Sequence, residues 1–125
     1  MSADQMREVA QASSQYEEVI ALEGFNTTVN EAIRQKYGVT GPGGISGDPL
    51  RELAHAQLIT LHEVIDQDAL DIDLIGAGGI GTPEDAIERL GIGPRVKAVQ
   101  LFSALLNEGF GLIPRILAAI ADMAA

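Results

Sequence analysis

Asp71-Ile-Asp-Leu-Ile-Gly-Ala-Gly-Gly-Ile-Gly-Thr-Pro-Glu-Asp-Ala86, followed by a short helical stretch and Val96-Lys-Ala-Val-Gln-Leu-Phe-Ser103, decides the fold. It reads as strand (Ile72 to Gly76), glycine turn, helix, strand (Val96 to Phe102). Two strand ends come side by side, each followed by small residues. Gly76, Gly78, Gly79 and Gly81 leave backbone N–H groups bare, and the helix after them presents its positive end in the same direction. Thr82-Pro83 with Asp85 starts that helix as cap, first residue and returning carboxylate. The stretch predicts a seat for a phosphate.

Outward from it the pattern repeats. Towards the N-terminus, Asp48-Pro49 begins a helix whose apolar face is Leu50, Leu53, Ala54, Leu58, Leu61 and Ile65. Before it lies a long glycine-rich loop, Tyr37 to Gly47. Asn30 to Lys36 reads as a short helix and Val19 to Phe25 as a buried strand with Asn26-Thr27-Thr28 at its end. Residues 2–15 read as a helix capped by Ser2 with Gln5, carrying Met6, Val9 and Ala10 on a narrow apolar face. Towards the C-terminus, Phe110 to Ala124 reads as a helix with Leu112, Ile113, Ile116, Leu117 and Ile120 at helical spacing. Pro114 is tolerated there because it falls in the first turn.

Strands alternating with helices imply an α/β fold of parallel strands with right-handed crossovers. At 125 residues the chain is expected to be a single domain, residues 1–125. Three such strands make an open sheet with two raw edges. Either a partner adds strands or the chain is part of something larger.

Composition narrows the function. The chain is 46% hydrophobic, with 4% aromatic residues and no Trp, so its core rests on aliphatic side chains. Eighteen acids against eight bases give a net charge of −10, a surface that repels nucleic acid and anionic lipid. The absence of Cys removes disulfides, thiolate metal sites and Cys nucleophiles. No apolar run reaches the length of about 18 residues that a membrane helix needs. The polar, acidic N-terminus fits neither a signal nor a transit peptide, so a cytoplasmic chain is expected.

Gly76, Gly78 and Gly81 also spell the dinucleotide fingerprint G-x-G-x-x-G. However, Thr82-Pro83 resets the helix start beyond it, and the next strand ends in Phe102-Ser103, with no acid for a ribose hydroxyl. A nicotinamide cofactor is therefore the weaker reading. In (β/α)₈ barrels a phosphate commonly sits between the loops after the last two strands, where Gly78-Gly79 and Phe102-Ser103 stand here. Asn26-Thr27-Thr28 faces the same rim, and Gly43-Gly44-Ile45-Ser46-Gly47 is placed to cover a ligand. His55 and His62 lack a ligand pattern and read as surface residues. Asp66, Asp68, Asp71 and Asp73 lack the glycine and spacing of a calcium loop and read as a solvated turn, so no metal site is expected.

Four pieces in order resemble the C-terminal part of the dihydroorotate dehydrogenase family, closest to its membrane-associated, quinone-using class. They are Asn26-Thr27-Thr28-Val29; Gly43-Gly44-Ile45-Ser46-Gly47-Asp48-Pro49-Leu50; Ile75-Gly76-Ala77-Gly78-Gly79-Ile80 with Glu84-Asp85-Ala86; and Ala98-Val99-Gln100-Leu101-Phe102-Ser103 with Glu108-Gly109. The resemblance implies about three βα units from the C-terminal portion of a TIM (β/α)₈ barrel, and an FMN enzyme that oxidises dihydroorotate to orotate in pyrimidine biosynthesis. It matches Gly47, Gly78, Gly79, Phe102 and Ser103 to the FMN phosphate region, and Asn26 and Thr27 to the orotate site. Two positions depart from the family pattern. Phe25 stands where the family has a small hydroxyl residue, and Gly91-Ile92-Gly93-Pro94-Arg95-Val96 replaces a small Ala-Gly-Ala segment.

By the same resemblance, the family's strand-borne Lys, its serine base and its membrane-attaching segment have no counterpart among these residues. Ser46 belongs to the glycine loop and is not that serine. No catalytic residue is therefore assigned, and the chain alone is expected to be inactive, with further strands coming from another chain or from self-association. Peripheral membrane association would belong to the complete enzyme. The rival expectation is a non-catalytic, oligomerising or phosphate-binding module.

Overall fold

A computed structural model describes residues 1–125. Its centre is one parallel sheet of three strands, β1 (Ala21–Gly24), β2 (Asp73–Ala77) and β3 (Val96–Gln100), in the spatial order β1-β2-β3. Leu22 pairs with Leu74 and Leu74 with Val96, and a register shift follows between Leu74 and Ile75. Six α-helices surround it: α1 (Ala3–Ser13), α2 (Glu31–Lys36), α3 (Arg51–Gln67), α4 (Pro83–Leu90), α5 (Ser103–Glu108) and α6 (Leu112–Met123).

The local signals behave as their chemistry dictates. The Ser2 hydroxyl accepts from the Gln5 N–H at 3.2 Å and the Gln5 side chain accepts from the Ser2 N–H at 2.8 Å, closing the capping box of α1. Asn30 caps α2 by accepting from the Ile33 N–H. Asp48-Pro49 does not cap α3 directly. Asp48–Leu50 forms a 3₁₀ turn after Gly47, and the α-helix begins at Arg51. The C-terminal helix forms as α6, and a separate short helix, α5, precedes it. Gly109, at φ +77°, separates the two.

One face of the sheet is covered. Leu58, Leu61 and Ile65 of α3 and Met6 and Ala10 of α1 pack on Ile72, Leu74 and Val96. A smaller core joins Ile80 and Ala86 to Leu112 and Ile116 of α6. The other face carries Glu23, Ile75 and Ala98, aligned across the three strands, and no helix covers it. In a closed barrel that face points inward, where side chains fill the interior in layers. Phe110 and Leu117 are also exposed, at 76% and 61%.

The acidic connection after α3 is more structured than a solvated turn. Asp68 accepts from Arg7 of α1 at 3.1 Å, and Asp66 from Arg95 at 3.2 Å. Arg95 Nη1 also donates to the Ile72 carbonyl at 3.2 Å. These contacts brace the bottom of the sheet, opposite the end where the strands deliver their loops.

Candidate functional site

The C-terminal ends of the three strands open into one cleft of about 550 Å³. The loop after β1 contributes Asn26 and Thr27, the glycine loop Ser46 and Gly47, the turn after β2 Gly78 and Gly79, and the segment after β3 Phe102 and Ser103. All seven residues singled out from the sequence therefore share one wall-to-wall space. Gln100, Asn107 and Glu108 line it too. Asn107 lies one helical turn beyond Ser103, at i+4, so its place was implied once Ser103 was placed.

The glycine turn has a different physical basis from the one expected. Gly78 and Gly79 lie at φ +86° and +70°. A Cβ on Gly78 would fall 2.0 Å from the Phe25 carbonyl oxygen, and one on Gly79 2.3 Å from the Arg51 Cα. These glycines let the turn nest against the end of β1 and the start of α3, besides leaving their backbone open to the cleft. The N-terminus of α4 is not a free anion seat. The Asp85 carboxylate already accepts from the Gly81 and Thr82 N–H groups, both at 3.0 Å, while Thr82 Oγ1 accepts from the Asp85 N–H at 3.1 Å.

Behind the turn, Arg51 Nη1 donates to Asp85 at 3.2 Å. Burial opposes the Asp85 charge, but the bonds from Gly81, Thr82 and Arg51 outweigh it and hold the carboxyl below its usual range. Arg89 is only 1% exposed, and burial pushes its guanidinium below the usual arginine value. Its Nη2 donates to the carbonyls of Arg51 and Gly78 at 2.7 and 2.9 Å. Sequence reading missed this residue. The available signal was its position three residues after Ala86, on the apolar side of α4.

On the β1 side, the Asn26 amide donates to Glu23 at 2.9 Å. The Gln100 amide, oriented by the hydrogen-bonding network, reaches the same carboxylate from β3 at 2.7 and 2.9 Å. The glycine loop is pinned rather than free. Thr28 and Ile45 exchange backbone hydrogen bonds of 3.0 and 2.8 Å, Ile45 is buried, and Gly44 rests on the Thr27 side chain. Arg34 ties the loop from outside through the carbonyls of Gly41 and Gly43. Phe25 does not line the cleft. It packs, partly buried, against the main core.

On the β3 side, Ser103 Oγ donates to Ser46 Oγ at 2.9 Å, bringing the start of α5 to the glycine loop. No side chain caps α5. Phe102 is 73% exposed. No Lys or Arg lines the cleft, and its carboxylates are those of Asp48 and Glu108. Glu108 is engaged by Arg115 at 3.8 Å. An anion here would be held by hydroxyl and backbone donors, and an exposed aromatic ring stands beside them for a flat apolar group.

The histidines differ from expectation. His62 is 9% exposed, because it follows Leu58 by four residues and joins the buried stripe of α3. Its Nδ1 faces Asp66 at 3.4 Å and its Nε2 meets the backbone of Gly93. His55 is half-buried, 3.7 Å from Glu88. No group of three His, Asp or Glu residues is arranged to hold a metal. No helix is long and apolar enough to cross a membrane.

The family model described as dihydroorotate dehydrogenase matches residues 2–123. The chain belongs to the dihydroorotate dehydrogenase family. It is 37% identical over 103 residues to the dihydroorotate dehydrogenase (quinone) of Novosphingobium aromaticivorans, covering 82% of this chain and 28% of that protein. It is 37% identical over 108 residues to the enzyme of the same name from Thermosynechococcus vestitus, covering 80% of this chain and 28% of that one. The crystal structure of Eimeria tenella DHODH in complex with ferulenol superposes with a TM-score of 0.78 at 22% identity, over 98% of this chain and 31% of that one. The fold is thus that of the C-terminal part of the dihydroorotate dehydrogenase barrel, and the chain spans about a quarter to a third of the length of the curated relatives it matches.

Proposed function

We propose that this chain carries the FMN-phosphate seat and part of the orotate site of a dihydroorotate dehydrogenase, a flavoprotein that oxidises dihydroorotate to orotate in pyrimidine biosynthesis. Alone it is inactive. Catalysis needs further barrel strands, from another chain or from self-association, and a cytoplasmic setting with peripheral membrane attachment of the complete enzyme belongs to the same reading. The observation that carries it is the convergence of Gly47, Gly78, Gly79, Phe102, Ser103, Asn26 and Thr27 on one cleft at the C-terminal ends of parallel strands.

The donor set supports an FMN phosphate. Ser103 Oγ and the uncapped start of α5 stand opposite the Gly78-Gly79 turn, whose backbone is open on the cleft side. Bound FMN supplies the two-electron redox chemistry, and this chain's residues bind and orient. The Asn26 amide and Thr27 hydroxyl offer directional hydrogen bonds to the amide and carboxylate edges of orotate. The Glu23 carboxylate holds the Asn26 amide in place.

Titration of the purified chain with FMN, followed by flavin fluorescence with NAD as control, tests the seat. Saturable FMN binding without NAD binding supports it, and the reverse preference sinks it in favour of a nicotinamide module. A complementary polypeptide supplying the other strands should restore dihydroorotate-dependent reduction of a quinone dye. Failure of every such mixture removes the enzymatic role.

A second reading, a non-catalytic oligomerising module, draws on the uncovered sheet face and on the exposed Phe110 and Leu117. A stable monomer in sedimentation counts against it.

A further inference from the structure

Arg89 is 1% exposed and makes no ion pair, although the carboxylates of Glu88 and Asp85 act on its charge from farther off. Asp85, one helical turn before it, is turned instead to Arg51, Gly81 and Thr82. The Nε and Nη1 atoms of Arg89 have no partner. A guanidinium kept in the interior on these terms is held by what Nη2 does, which is to grip two main-chain carbonyls, those of Gly78 and Arg51.

The Gly78 carbonyl belongs to the same peptide unit as the Gly79 N–H. In a trans peptide these two groups point in opposite directions. The bond between Gly78 and Gly79 is trans, since the only cis bond lies at Gly24–Phe25. Arg89 does not line the cleft, whereas Gly78 and Gly79 do. An oxygen drawn towards Arg89 therefore turns the Gly79 N–H away from Arg89, and Gly79 is among the residues that line the cleft. No backbone or side-chain acceptor in the chain takes that N–H.

We infer that Arg89 is a positioning residue: by clamping the Gly78 carbonyl it aims the Gly79 N–H at an anion in the cleft, an inference that rests on the reading of this cleft as a phosphate seat. Its second bond, to the Arg51 carbonyl, locks the turn to the first residue of α3. The clamp contributes to affinity without touching the ligand.

The test uses the isotopically labelled chain and two variants that keep the aliphatic stem, Arg89→Met and Arg89→Lys. Without ligand, Arg89→Met should shift the Gly78 carbonyl carbon and the Gly79 amide resonances strongly, while Gly38 and Gly109, remote from the clamp, stay in place. Arg89→Lys should restore part of the native shift. With ligand, Arg89→Met should weaken FMN by about tenfold, the worth of one charge-directed hydrogen bond, and leave riboflavin, which has no phosphate, unchanged. A loss of stability alone would affect both flavins alike.

Unmoved Gly78 and Gly79 resonances in folded Arg89→Met overturn the inference, as does equal weakening of FMN and riboflavin. If Arg89→Met does not fold, Arg89→Lys carries the same readouts. If the unaltered chain binds neither FMN nor inorganic phosphate while the resonances move as expected, the clamp stands and the phosphate reading falls.

Discussion

Arg51, the first residue of α3, meets Asp85, in the first turn of α4, with 3.2 Å between Nη1 and Oδ1. Two helix starts that follow different loops are thereby joined behind the glycine turn. Asp85 is 7% exposed and serves three donors at once, so it fixes the turn, the cap of α4 and the start of α3 together.

That arrangement predicts an acid limb of stability. The Asp85 carboxyl lies below its ordinary value of 3.8 in the folded chain. Its contribution is therefore complete above about pH 4, shrinks as pH falls from there, and is lost once pH drops through the folded value. Asp85→Asn should cost about 2 kcal/mol at neutral pH, since the buried donors lose a charged acceptor. It should also flatten the decline below pH 4. Urea midpoints measured between pH 7 and pH 2.5 decide this. Parallel curves for the two proteins would remove Asp85 from the acid limb.

Gly93 and His62 form a second dependent pair. A Cβ on Gly93 would lie 2.0 Å from His62 Nε2, and the imidazole is held between α3 and the loop before β3. Gly93→Ala should therefore destabilise the chain by about 1–3 kcal/mol through overpacking. Adding His62→Ala should recover part of that loss in a double-mutant cycle. Strict additivity of the two changes would show that they do not touch.

Two residues of the cleft separate folding from binding. Gly79→Ala places a Cβ on the Arg51 backbone at a positive φ, so it should lower the unfolding midpoint whether or not a ligand is present. Ser103→Ala removes only an exposed hydroxyl that bonds Ser46. It should leave thermal stability within about 0.5 kcal/mol of the parent and weaken FMN by about tenfold or more. Unchanged FMN affinity in Ser103→Ala would take the hydroxyl out of the seat.

The uncovered surfaces predict association. Phe102, Leu106, Phe110 and Leu117 are each more than 60% exposed. Sedimentation should show mass rising with concentration, and Leu117→Lys, on an exposed position of α6, should reduce it without loss of helix content. A concentration-independent monomer contradicts this.

The fold was largely legible because its signals are local. The two capping boxes, Ser2 with Gln5 and Thr82 with Asp85, close as their spacing requires. The three strands follow from short aliphatic runs between turns. The gathering of Asn26, Gly47, Gly79 and Ser103 was legible because parallel strands deliver their loops to one end. Two things were not. His62 and Arg89 sit on apolar stripes, where a polar residue reads as an edge position, and only the neighbouring segment decides whether it is buried. The packing role of Gly78 and Gly79 depends on Phe25 and Arg51, far off in the chain, and no local pattern reports such an approach.

Each strand pairs only with its neighbour in sequence, so no foreign segment threads between β1 and β3. Every ladder in this sheet is closed within one stretch of polypeptide, and both edges remain as seams. A unit built this way keeps its own two strand pairs whatever chain is joined at its edges, while each edge strand of a closed barrel must find its outer partner beyond the unit. What the joined chain alters is which side chains come to face Glu23, Ile75 and Ala98 across the open side.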